Sequence, residues 1–342
     1  NLNVYLKLLR RWEDGRLHLP KTTSPEYPNP KLGLSNSCPA HDTSYDLALL
    51  RWGLQTLLET NDELGLDDEL ADTWRDTLRD LTPLCVDENG IMVARDLPFE
   101  LSHRHYSHLF ALYPLHLLDL ENPQERDLAQ TSFLHWIHTT GALQGYSYTG
   151  GTCMAAALGD GNLALECLDR LRDYLLPNTM YLERGGPVIE TPLSGAESIQ
   201  YLLLQSHGGV VRVFPAMPDR FADAAFANLL AEGAFEVSGK REGGRNLWVR
   251  VTSKAGEPLR VQPNLDGSVK AHGKRQFQLV DEGNGIYRID LARGETVLLH
   301  SGDTVPDLTL APVASQPAYE NYYGSLKPDM GSRALGVGEN AL

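Results

Sequence analysis

The sequence predicts a mainly α-helical domain, built as a barrel of helical hairpins, followed by a small all-β domain. Three observations carry this. From about residue 40 to 206 the apolar residues recur with a helical period, long loops rich in Pro, Gly and polar residues join the helices, and after Gly208 the apolar period drops to two. A length of 342 residues accommodates one large domain and a smaller one.

The opening residues read as helix, with Val4, Leu6, Leu8 and Leu9 apolar; Asn1 and Asn3 read as ordinary helix surface. There is neither an initiator Met nor a signal peptide at this end, and the chain reads as a piece whose upstream part is missing. Thr43-Ser44-Tyr45-Asp46 has the form of a capping box, and Leu47, Leu50, Leu54, Leu57 and Leu58 behind it make one apolar stripe. Leu70, Trp74, Leu78 and Leu81 make a second stripe that Pro83 stops. Pro123 opens another helix with Leu128, Phe133, Trp136 and Ile137 facing inward. Asn162 can cap a helix carrying Leu165, Leu168, Leu171 and Leu175 that ends near Pro177. Ser194-Gly195-Ala196-Glu197 reads as a further capping box, ahead of Ile199 to Leu204. Loops at 18–42, 83–105, 138–147 and 177–194 hold nearly every unusual polar residue, as expected where a rigid scaffold carries its site on loops.

Beyond Gly208, the runs Val210–Phe214, Phe235–Val237, Leu247–Val251 and Ile286–Ile289 read as strands, with turn signals at Gly243-Gly244 and Gly283-Asn284-Gly285. The expected division is a helical domain over 1–208, a β domain over 209–302 and an irregular Pro- and Gly-rich tail over 303–342.

A formal charge of −15 argues against a nucleic-acid backbone as partner, which needs clustered Lys and Arg, and no apolar run reaches the ~20 residues of a membrane helix. Cys38, Cys85, Cys153 and Cys167 form no Cys-x-x-Cys and are expected to be free buried thiols rather than disulfides or zinc ligands.

The stretch Ser102-His103-Arg104-His105-Tyr106-Ser107-His108-Leu109 packs three His, an Arg, a Tyr and two Ser into eight positions. Such a cluster can ligate a metal, hydrogen-bond loop backbones, or bind a sugar or anion with Arg104 as the fork and His105 beside it. The His spacings of two and three match the i, i+4 pattern of metal-binding helices poorly, so no metal is assigned. Glu26, in Ser24-Pro25-Glu26-Tyr27-Pro28, lies in a stretch stiffened by two prolines. There a neighbouring aromatic can desolvate the carboxyl and fit it for general acid work; the bland alternative is an exposed loop glutamate. Glu190, in Val188-Ile189-Glu190-Thr191-Pro192, sits just ahead of a helix start, which favours an ionised carboxylate; its alternative is a helix-start residue with no other task. The glycines of Gly141–Gly151 fit close backbone approach rather than a phosphate loop, with Tyr146 and Tyr148 available to stack on a sugar ring.

Together these segments resemble glycoside hydrolase family 95, the inverting α-L-fucosidases and their relatives, over about residues 20–265. Ser24-Pro25-Glu26 is similar to that family's Ser-Pro-Glu, whose Glu is the general acid. His103-Arg104-His105-Tyr106-Ser107-His108-Leu109 with Tyr113-Pro114 resembles its His-Arg-His-x-Ser-His-Leu…Tyr-Pro, in which the Arg and the following His contact the sugar. Leu203-Leu204-Gln205-Ser206, then Phe214-Pro215-Ala216-Met217-Pro218, resembles its passage into a C-terminal β domain. The resemblance implies an (α/α)6 toroid, of which the chain holds only the later helices, followed by a small β-sandwich. It further implies an oligosaccharide or polysaccharide substrate, no cofactor, and an extracellular or periplasmic location. Glu26 and Glu190 are then the catalytic pair, and Arg104, His105, His103, His108 and Tyr146 the substrate-binding candidates.

Two departures stand out. Ile189-Glu190-Thr191-Pro192-Leu193-Ser194 falls where the family has Ile-Asp-Gly-Asn-Phe-Gly, so the carboxylate is one methylene longer. The family's Asn-x-Asn partner lies far upstream of its Ser-Pro-Glu, whereas Asn1-x-Asn3 is close to Glu26. Competing readings are an (α/α)-barrel phosphorylase or lyase, a degenerate carbohydrate-binding homologue, and a purely structural helical module.

Overall fold

The structure is a computed structural model that describes residues 2–29, 33–171, 174, 181–183 and 186–311, the side chains of 181–183, 186 and 187 excepted. The chain falls into two compact units, Asn1–Gly150 and Gly151–Leu342.

In the first unit, helices α1 (Leu2–Leu8), α2 (Ser44–Leu64) and α3 (Ala71–Asp80) enclose an apolar cluster. Leu47, Leu50 and Leu54 of α2 meet Trp74 of α3 there, with Leu9, Leu19 and Leu81 closing the ends and Leu2, Tyr5 and Leu6 packed against it. The expected cap is in place: the Thr43 hydroxyl accepts from the Asp46 amide and donates to the Asp46 carboxylate at 2.6 Å. Gly65, left-handed at φ 58°, ends α2 as glycine does after a helix. Leu81 is extended and ends α3 ahead of Pro83. Because Leu54 is fully buried in this cluster, Leu54→Ala is expected to destabilise the unit by about 2–5 kcal/mol, read as a lower denaturant midpoint at unchanged slope.

Helix α4 (Pro123–His138) starts as expected, with Pro123 in its first turn and the Asn122 side chain accepting from the Gln124 and Glu125 amides. Two long loops leave this scaffold, and Asp42 ties their bases together. Its carboxylate is fully buried and accepts from the Leu19 amide at 2.8 Å, the Arg95 guanidinium at 2.8 Å and His18 Nδ1 at 2.7 Å. Short antiparallel pairs, Thr22 with Ala40 and Thr23 with Pro39, narrow the neck of the first loop. Backbone bonds from Ser44 to Val93 and from Arg95 to His41 hold the second against it.

Helix α5 (Gly145–Ala157) begins inside the loop expected over 138–147 and so shortens it. Gly150 does serve close approach, since a Cβ there would run into the Tyr106 ring. In the second unit, α6 (Gly161–Leu171) is capped by Asp160, which accepts from the Leu163 amide, rather than by Asn162, whose side chain is engaged with Asp219. Leu175 and Pro177 lie outside the described residues. Helix α7 (Glu190–Leu203) begins before the expected capping box, so Ser194 lies inside it and donates to the Thr191 carbonyl.

The period-two region folds as two five-stranded sheets. One runs Val280–Gly283, Ile286–Ile289, Leu259–Gln262, Val211–Val213, Leu204–Gln205; the other runs Ala224–Ala231, Phe235–Glu242, Arg245–Ser253, Thr296–Ser301, Val269–Gly273. Their inner faces share one core, in which Val211, Val213, Leu259, Val261 and Ile289 of the first meet Val237, Val249, Val251, Val297 and Leu299 of the second. That makes a β-sandwich. Its pairs are antiparallel except Val211–Val213 with Leu259–Gln262, which is parallel. Of the tail, residues beyond 311 lie outside the described residues. The four cysteines are free thiols, three of them buried. No helix among the described residues is long and apolar enough to cross a membrane.

Candidate active site

The first loop brings Glu26, and the second brings the His-rich segment. Glu26 adopts a left-handed backbone, φ 54°, that places neighbouring side chains on different paths. Its own carboxylate stays nearly half exposed, while Tyr27 is buried at 4%. The expectation that an aromatic neighbour desolvates Glu26 is therefore corrected: the Tyr27 ring goes inward, 5.4 Å from Phe99 and 5.8 Å from His103. The Glu26 carboxylate instead pairs with the Arg104 guanidinium, and His105 Nε2 lies 3.9 Å from the same oxygen. Residues separated by 78 positions thus meet at one exposed point.

The backbone under Arg104 is held rigidly. The Trp136 indole donates to the His103 carbonyl and the Ser147 hydroxyl to the Arg104 carbonyl at 2.6 Å. His103 Nδ1 accepts from the His105 amide at 3.1 Å, which sets its ring nearly perpendicular to His105. Burial, with His105 and Arg104 as neighbouring positive charges, pushes the His103 imidazolium down to about 4. His108 is corrected from substrate-binding candidate to interior residue: it is 3% exposed, stacked 4.5 Å from Phe99, and burial pushes it down to about 3. Tyr146, on the first turn of α5, is partly exposed, with one face stacked on Tyr106 at 5.3 Å and an edge contact to His105 at 6.4 Å. Ser147 and the Tyr27 hydroxyl went unmarked in the sequence, since neither sits in a pattern that separates it from ordinary loop residues.

Two neutral buried histidines have a measurable consequence. Below the ordinary value of 6.5 the unfolded chain takes up two protons that the folded chain refuses until pH falls to about 4 and 3. Stability is therefore fully present above pH 6.5 and declines as pH drops from 6.5 towards 4, by up to ~1.4 kcal/mol per pH unit for each histidine. Replacing His108→Gln should flatten that slope in denaturant titrations between pH 5 and 8; an unchanged slope would show that His108 is protonated in the fold.

Glu190 is the first residue of α7 and is exposed, at a helix N-terminus that favours negative charge. It belongs to the second compact unit and Glu26 to the first.

Glu26, His103 and His105 each offer a ligand atom within 4.8 Å of the others. A cation there would have to displace the Arg104 guanidinium, a like charge already paired with the only carboxylate of the three. The donor set of one carboxylate, one guanidinium and imidazoles suits a polyhydroxylated ligand better.

A helical scaffold with a carboxylate and a cationic fork on its loops, continued by a β-sandwich, is an arrangement of the glycoside hydrolase class. Residues 2–185 match the family described as "Glycosyl hydrolase family 95 catalytic domain", and residues 205–299 that described as "Glycoside hydrolase family 95, C-terminal domain". The chain belongs to glycoside hydrolase family 95. It is also similar to "Alpha-L-fucosidase 2" of Arabidopsis thaliana, 24% identical over 250 residues. That similarity covers 68% of this chain but 29% of the plant protein, so the chain spans under a third of the length of this relative.

Proposed function

We propose that the protein containing this chain hydrolyses α-L-fucosyl or related α-L-galactosyl linkages in oligosaccharides or polysaccharides, with inversion at the anomeric carbon. The observation that carries this is the convergence of Glu26, Arg104 and His105 at one exposed point, in a chain of this family. Glu26 protonates the glycosidic oxygen as the bond to the anomeric carbon breaks. Water attacks the opposite face and gives up its proton on the side of Glu190, directly or through an amide of another segment. Inversion requires the two carboxyls roughly 6.5–9.5 Å apart, leaving room for that water.

Arg104 and His105 hold the sugar hydroxyls, with His103 behind them fixing the His105 backbone. On this reading the Glu26–Arg104 pair opens when substrate enters, and the guanidinium turns to the hydroxyls. The proposed scaffold is the later part of an (α/α)6 toroid over 1–208, with the β-sandwich of 209–302 as an appended domain, working outside the cytoplasm on extracellular glycans.

Hydrolysis of a panel of aryl and natural α-L-fucosides and L-galactosides by the full-length protein tests this, with the anomer of the product read by NMR as it forms. Inverted product supports the reading. Retained product, phosphate-dependent turnover or an unsaturated product absorbing in the ultraviolet overturns it, and sugar binding without any turnover would mark a degenerate homologue.

A further inference from the structure

We propose that Tyr27 is a positioning residue for the acid step: its hydroxyl locks the loop carrying Glu26 onto the loop carrying Arg104 and His105. The phenol oxygen accepts from two consecutive backbone amides, Glu100 at 3.0 Å and Leu101 at 3.1 Å, across 73 and 74 residues of sequence. Both lone pairs of one side chain are thus used on the other loop. The tie is one residue from Glu26 on its own loop and three from Arg104 on the other. The ring is 4% exposed and wedged against Phe99 and His103, so the hydroxyl cannot swing away. Tyr27 also closes a turn on itself, its amide donating to the Ser24 carbonyl, with Glu26 left-handed inside that turn. The direction of the Glu26 carboxylate therefore follows from where the Tyr27 ring is anchored. Asp42 fixes the bases of the two loops, and Tyr27 joins them beside the carboxylate.

The inference rests on Glu26 as general acid, and leaving-group dependence separates the two. An acid held out of line fails a substrate whose leaving alcohol must be protonated, and matters little to one whose leaving phenolate departs unaided. Tyr27→Phe keeps the ring and deletes the acceptor. In the full-length protein, turnover of a natural fucosyl oligosaccharide should fall by about 100-fold, the loss typical of an ångström of misplacement. Turnover of a nitrophenyl fucoside should change little, and KM for both should stay near wild type. Because both rates come from one preparation, their ratio does not depend on how much of the variant is folded. An equal loss on both substrates, or none on either, overturns the role. Glu26→Gln run alongside completes the logic. If Glu26→Gln shows no leaving-group dependence, the acid assignment fails; if it does and Tyr27→Phe does not, the positioning role alone fails.

Discussion

Glu26→Gln is expected to lower hydrolysis of natural α-L-fucosides by about 10²–10⁴-fold, the contribution of a well-placed general acid. The amide keeps the size and most hydrogen bonds of the carboxyl but has no proton to give. It also dissolves the ion pair with Arg104. That pair is nearly half exposed on both sides, so its loss should cost the fold little, and the thermal midpoint should barely move. A large kinetic loss with an unchanged midpoint is the pattern of a chemical role. Wild-type turnover in the variant would place the acid elsewhere and leave Glu26 as an ordinary loop glutamate.

Glu190→Gln carries the second large expectation, a fall of about 10²–10⁴-fold in turnover for loss of the base side of the reaction. Here leaving-group ability should not help, because an activated phenolate still needs water to attack. Natural and nitrophenyl substrates are expected to fall together, in contrast to Glu26→Gln. Glu190→Asp adds a finer reading. If the extra methylene lets Glu190 reach the water itself, shortening it should lower turnover; unchanged hydrolysis would mean that the proton passes through another group. Both variants are measured as kcat and KM in the full-length protein, and a Glu190→Gln variant with unchanged kcat would remove Glu190 from the mechanism.

How much of this could be read beforehand depended on whether a residue's neighbours were near in sequence. Helix α2 was legible because its signals are local: Thr43 and Asp46 cap it, and Leu47, Leu50 and Leu54 mark one face. The start of α5 at Gly145 is hidden, because residues 149–156 are buried on every side, which erases the amphipathic stripe that would mark it. Ser194 and Glu197 mimic a capping box inside α7, while its true start at Glu190 is possible because Pro192 is tolerated in a first helical turn. The strand Ala224–Ala231 lacks strict alternation because a register shift between Phe226 and Leu229, with Asn228 left-handed, breaks it. In the site, the density of polar groups over 102–108 was visible at once. Which of them face solvent was not: the burial of His108 depends on Phe99 stacking over it, and the outward direction of Glu26 on the inward turn of Tyr27.

The parallel pairing of Val211–Val213 with Leu259–Gln262 sets the order in which the sandwich can assemble. The hairpin of Phe235–Glu242 with Arg245–Ser253 can zip from its own turn within microseconds. The strand at 211–213 has such a neighbour, Leu204–Gln205, on one side alone. Its other side must wait for the chain through residue 262 to be made and looped back, and contacts of that separation slow folding. During that interval the side of Val211–Val213 turned away from Leu204–Gln205 offers an unpaired edge to any passing strand. Synthesis from the N-terminus puts this edge in the open while the second half of the sandwich is still on the ribosome. Yield from a cell should therefore respond more to chaperone supply and growth temperature than the finished molecule's stability would suggest.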